Sequence, residues 1–138
     1  MNVGRLAASA IVGWMAYLAT SALVADVLLA DLHARHAELF RPAGEAHTVI
    51  GLGAALAGFF VFAYGYAKGY EGGPGALEGL RYGMVVGLLL VCFSVVWAWA
   101  ALSLSGAIAA AWIVDTLVEM SLYGAIVGLV YAPGGSRK

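Results

Sequence analysis

Four long apolar runs constrain this chain more than anything else in it. They cover about residues 6–30, 48–67, 82–102 and 107–131. A hydrocarbon core about 30 Å thick takes roughly 20 apolar residues per spanning helix, and each run reaches that length. At such depth backbone amides and carbonyls must be paired within a helix or a closed barrel, because no water is there to pair them. A barrel would show segments of about 10 residues that alternate in polarity. These runs are continuous and rich in alanine and leucine, with only Asp26 interrupting the first near its end. They predict helices.

Composition agrees. Of 138 residues, 63% are hydrophobic and 11% charged, against roughly 45–50% apolar in a soluble domain. Seven basic and eight acidic residues are too few to cover a soluble surface. Disorder requires low hydrophobicity. A disulfide framework requires more than the single Cys92. A net charge of −1 offers no footprint for nucleic acid. The predicted fold is therefore all-α: four transmembrane helices in an antiparallel bundle, one domain over residues 1–138, with the lipid bilayer as its partner. Arg5 ahead of an apolar run resembles a signal peptide. At about 24 residues, however, the run exceeds the usual h-region of about 7–15, so it reads as a retained first helix.

The three connections are unequal. Residues 31–47 hold most of the polar side chains, residues 68–81 contain the turn Gly72-Gly73-Pro74-Gly75, and residues 103–106 make a tight hairpin of the last two helices. Basic residues set orientation. Arg5, Lys68, Arg81, Arg137 and Lys138 fall on one side, against Arg35 and Arg41 on the other. Both termini are expected in the cytoplasm, with residues 31–47 facing outward. A bacterial inner membrane suits the small size.

The glycines fall into ladders. Gly75, Gly79, Gly83 and Gly87 are spaced four apart, Gly51, Gly58 and Gly65 seven apart, and Gly124 and Gly128 share a face with Ser121. In the first helix Ser9, Gly13, Ala16 and Thr20 do the same. Small residues at helical spacing let backbones approach closely, and dispersion then drives association within lipid. These faces read as ordinary packing surfaces, or as an oligomer interface or pore lining.

Two carboxyls stand out. Asp115 and Glu119 lie inside the fourth run, with Glu119 near the midplane and Asp115 about 6 Å nearer the outer surface. Four apart, they share a face, flanked by Thr116, Trp112 and Tyr123. An ionised side chain at this depth costs roughly 2.5–3.5 kcal/mol, so both must face the bundle interior or water, and they titrate as a coupled pair. Such residues suggest a proton- or cation-handling site. A carboxyl bonded to a neighbouring helix explains them equally. At 100° per residue, the small face of this helix lies roughly 180–240° from Asp115. One broad face is what a monomeric bundle buries, which predicts a homo-oligomer or a larger membrane complex.

The outer segment carries His33, His36 and His47, with Asp26 just beneath it. Solvated loop histidines are the simple reading. Zinc binding has no matching spacing, and titration near neutrality allows a pH sensor. Asp26, His47 and Asp115 make a secondary outer polar cluster. No paired histidines at matched depth suit a haem, no nucleophile sits beside a base, and residues 69–75 lack a P-loop ending. No cofactor, metal or catalytic residue is expected, and nothing marks an enzyme.

The second connection reads Lys68-Gly69-Tyr70-Glu71-Gly72, and Glu78-Gly79-Leu80-Arg81-Tyr82-Gly83 follows. Pro74 suits a helix start, and Glu78 suits the positive end of that helix. This stretch resembles small four-span bacterial membrane proteins with a Lys-Gly-Tyr-Glu-Gly turn and a Glu-Gly-Leu-Arg-aromatic-Gly helix start. The resemblance implies four spans and adds no activity. Two functions follow from the residues: a small proton- or cation-handling channel or transporter subunit built on Glu119 and Asp115, or a structural or accessory membrane protein held together by its buried carboxyls.

Overall fold

The computed structural model describes residues 1–41 and 47–132. Arg137 and Lys138 of the charge count lie outside the described residues. Helix α1 (Val3–Leu23) runs into a π-helical turn (Val24–Leu28), then a short α2 (Ala30–Arg35) and a 3-10 turn (Ala37–Leu39). Helix α3 spans Thr48–Gly69; α4 (Gly75–Leu90) continues through a second π turn (Val91–Val95) into α5 (Val96–Ala101); α6 spans Gly106–Tyr131. The four continuous helices Val3–Leu28, Thr48–Gly69, Gly75–Ala101 and Gly106–Tyr131 are each long and apolar enough to cross a membrane.

Local chemistry sets the ends. The Asn2 side chain accepts the Arg5 amide at 3.0 Å, and Ser105 accepts that of Ile108 at 3.3 Å; each satisfies a donor that the first turn leaves open. The third span departs from the sequence expectation by starting at Gly75, not near Tyr82. Glycine is a poor helix former, so the apolar run marks the span only from about Tyr82, although Pro74 and Glu78 already suit a helix start at the turn. The value of Gly75 and Gly79 lies in packing against α6, which outweighs propensity. The connection shrinks to residues 70–74, where Gly72 takes a φ of 98° that side chains resist. Glu78 staples this turn: the Glu71 amide donates to it at 3.1 Å and the Gly73 amide at 2.5 Å. Charge-assisted bonds of this kind contribute about 1.5–3 kcal/mol. Glu78→Ala is expected to cost about 1–2 kcal/mol after exposure is discounted, and to speed hydrogen exchange at the amides of Glu71 and Gly73 selectively. Unchanged exchange there would show that the staple holds nothing.

The tightest packing is between α4 and α6, which run antiparallel. A Cβ built on Gly79 would overlap the Gly124 carbonyl, with its carbon only 2.8 Å away. At Gly83 the Met120 carbonyl carbon would be 2.8 Å away, and at Gly87 the Met120 Cβ would be 3.1 Å away. Gly75 and Gly128 meet in the same manner. Without side chains here, the backbones approach closely from Gly75 to Gly87. Gly13 lets α1 approach Phe59 and Val127, and the Tyr82 hydroxyl rests on Gly65. Gly51 and Gly58 depart from the expected packing role: a Cβ built on either meets no atom within 4 Å.

Helix α6 is the centre of the bundle, with α1 on one side and α4 on the other. The argument that one chain leaves one of its faces bare therefore fails: α4 covers Gly124 and Gly128, and α1 faces Asp115 and Glu119. The large side chains that α6 leaves exposed are Val114, Val118, Leu122 and Leu129, as suits lipid. Below the midpoint an aromatic cluster fills the space between helices. Tyr123 stacks edge-on against Phe59 at 5.4 Å, and Tyr66 against Tyr131 at 5.9 Å. The Tyr66 hydroxyl donates to the Gly75 carbonyl at 3.1 Å and that of Tyr82 to Phe62 at 3.0 Å, tying α3 to α4 at this tyrosine-rich end. Asn2 and Arg5 reach Tyr131 at the same end.

Candidate functional site

Glu119 occupies the middle of α6, and Asp115, Glu119 and Tyr123 follow one another at helical spacing on the side facing α1. Opposite them α1 presents Tyr17, Thr20 and Ser21. These come close because Ser9, Gly13 and Ala16 keep that face of α1 thin; Ser9 is fully buried. Thr20 Oγ1 and Tyr123 Oη hydrogen-bond across the α1–α6 seam, and the Thr20 hydroxyl also donates to the Tyr17 carbonyl at 3.3 Å. The Glu119 carboxyl lies beside both hydroxyls. The two hydroxyls and the Glu119 carboxyl thus form one small polar cluster across the seam.

Two cavities meet at Glu119. The larger, about 490 Å³, is a groove between α3 and α4 whose floor includes Thr116, Glu119 and Tyr123. The smaller, about 260 Å³, lies between α1, α2 and α6 and includes Ser21, His33, Asp115 and Glu119. Glu119 Oε1 and His33 Nε2 are both buried without a hydrogen-bond partner. A buried polar atom without a partner costs about 1–3 kcal/mol, so each marks a place where a proton, a water or a ligand group would be held. His33 is near enough to Asp115 to act on it electrostatically. The smaller cavity thus joins the 31–41 segment to the middle of α6 through His33, Asp115 and Glu119. Towards the tyrosine-rich end the way is filled by Phe59, Tyr123 and Val127, all buried.

The four inner candidates are brought together, but divided between cavities: Asp115 belongs to the smaller, Thr116 and Tyr123 to the larger, and Glu119 to both. The secondary outer cluster is not assembled. Asp26 is exposed on the first π turn, and His47 is exposed beside Arg41 at 3.4 Å. His36 lies 3.3 Å from Ser105 and 3.6 Å from Glu38. Of the four, only His33 lines the same cavity as Asp115. Among the described residues no group of three or more His, Cys, Asp or Glu side chains could hold a metal; Glu45 lies outside them. Sequence reasoning missed Tyr17, and took Thr20 only as a small residue. Two hydroxyls three apart within an apolar run were the available sign. No family model, curated protein or solved structure matches this chain.

Proposed function

We propose that the protein handles protons within a membrane, with the Glu119 carboxyl as the exchanging group. The observation that supports this most is that Glu119 is common to both cavities while its Oε1 is buried and unpartnered. His33 and Asp115 supply a titratable route to it from one end. The donor set at Glu119, one carboxyl and two hydroxyls, favours a proton over a metal cation, which would require about six oxygen ligands. The basic-residue count supports an orientation with the His33 end outside and both termini in the cytoplasm, in what we take to be a bacterial inner membrane. The site then opens outward and is stopped inward by Phe59 and Tyr123.

The test is proton flux in vesicles containing the purified chain and a trapped pH dye, driven by a potassium diffusion potential. Glu119→Gln retains shape and hydrogen bonding but cannot exchange a proton. Flux in the parent and at least a tenfold loss in the variant are expected. Equal flux in both would overturn the proposal.

A second reading rests on the hydrogen bond between Thr20 and Tyr123 beside Glu119. It ties α1 to α6, as a structural or accessory protein in a homo-oligomer or larger complex would require. That reading predicts no flux in the parent, a lower melting temperature for Glu119→Leu, and co-purification with partner chains from native membranes.

A further inference from the structure

The larger groove has a chemistry of its own. Tyr66 and Tyr82 tie α3 to α4 near the tyrosine-rich end. Beyond Tyr82 the helices part, with Gly58 and Val61 on one wall and Val86 and Leu90 on the other. The mouth lies on the outer surface of the bundle: Val61 is 71% exposed and Leu90 41%. In a bilayer it opens sideways to acyl chains, not to water. Gly58 widens it, since a Cβ there meets nothing within 4 Å. Inside, the walls carry the rings of Tyr17, Phe59, Phe62 and Tyr82, and the floor carries Glu119 with its unpartnered oxygen.

We infer that this groove binds a lipophilic organic cation, such as a quaternary ammonium or phosphonium with apolar substituents, entering from the bilayer and held by Glu119. Three features select that class. An apolar chamber of about 490 Å³ has room for a small drug-sized molecule. Aromatic faces attract a cation, more so when it is desolvated. Among the described residues Glu119 is the one carboxyl on the lining and no basic side chain shares it, so a cation answers a charge that no basic group there pairs. An acyl chain would satisfy the walls and leave Glu119 unanswered.

The inference deepens the proton reading and rests on its premise that Glu119 changes protonation. Proton and cation then compete for one carboxylate. The titratable groups facing it are Tyr17 from α1, His33 from α2, Tyr82 from α4, and Asp115 and Tyr123 of α6; among the described lining residues α3 presents no titratable group. Binding of one species therefore releases the other.

Tetraphenylphosphonium and tetraphenylborate, nearly equal in shape and opposite in charge, provide the test. Binding to the full chain in nanodiscs is measured by equilibrium dialysis against empty nanodiscs. Saturable binding of the phosphonium alone is expected, weakening as the pH is lowered. Glu119→Gln should weaken it at least tenfold. Gly58→Leu should weaken it comparably by filling the groove, so a fold defect in one variant leaves the other decisive. Equal saturable binding of both ions means an apolar site only and overturns the inference, as does phosphonium binding that ignores both substitutions. Flux without phosphonium binding overturns the inference and leaves the proton reading standing. Glu119-dependent binding without flux does the reverse.

Discussion

Gly83→Leu is expected to abolish the folded bundle. At this position even a Cβ would lie 2.8 Å from the Met120 carbonyl carbon and 3.1 Å from the Gly124 Cα. These are backbone atoms, so no rotamer change relieves the clash, and two helices must separate along their length. Overpacking a core typically costs 1–3 kcal/mol. Here the loss is expected to exceed about 3 kcal/mol, because separating the helices also forfeits the contacts at Gly79 and Gly87. Lipid provides no hydrophobic compensation for a widened interface. Gly51→Leu is the matched control. It makes the same chemical change where no atom lies within 4 Å, and it should be neutral or gain up to about 1 kcal/mol of helix propensity. Denaturation in mixed micelles, followed by near-ultraviolet circular dichroism, compares the two. Equal midpoints would show that α4 does not rest on α6 as described.

The second large effect is expected at Phe59. Its ring touches Tyr17, Phe62 and Tyr123, with centroids 5.9, 6.2 and 5.4 Å away, and it lies against Gly13. Phe59→Ala removes the partner of three aromatic contacts and leaves a void next to both the groove and the cluster below it. Such truncations cost about 3–5 kcal/mol in soluble cores. In lipid the dispersion part persists, so a loss of at least 2 kcal/mol is expected. Phe59→Leu keeps most of the volume and should lose less than about 1.5 kcal/mol. If proton flux is present in the parent, Phe59→Ala should also raise passive leak, because it removes ring surface between Glu119 and the tyrosine-rich end. The same denaturation assay reads the stability, and dye-loaded vesicles without a driving ion gradient read the leak. Wild-type stability in Phe59→Ala would remove the aromatic cluster from any role in holding α1 to α3.

The helices were legible because lipid imposes one demand that composition meets directly. Runs of about 20 apolar residues have no other stable use. The start of α4 was legible in Pro74 and Glu78 but not in the apolar run, which begins only near Tyr82. Gly75 and Gly79 are weak helix formers whose contribution appears only when Gly124 and Gly128 lie against them. Spacing marked Gly51 and Gly58 as packing residues by the same rule, yet they face open space. Periodicity identifies a face and cannot say what covers it. Asp115 and Glu119 could be located by depth alone, and Tyr123 by its distance of one turn. That His33 would reach Asp115 while His47 stayed beside Arg41 depends on how the short α2 folds back, and no sequence period encodes this. Which helix sits in the middle is likewise not revealed by the sequence, so the wheel argument could not tell that α1 and α4 each cover one side of α6.

That central helix has a consequence for biosynthesis. Of the four described spans α6 emerges after the other three, yet α4 packs chiefly on it and α1 needs it to cover Tyr17 and Thr20. Helices enter a bilayer singly before they associate. Of the final arrangement, the α1–α3 pair and the tyrosine bonds between α3 and α4 are available before α6 is made; the glycine ridge of α4 must wait bare in lipid. Assembly is therefore completed by the newest part of the polypeptide, and a ribosome that stalls before residue 106 leaves an insertion intermediate with that ridge open to capture by quality-control proteases.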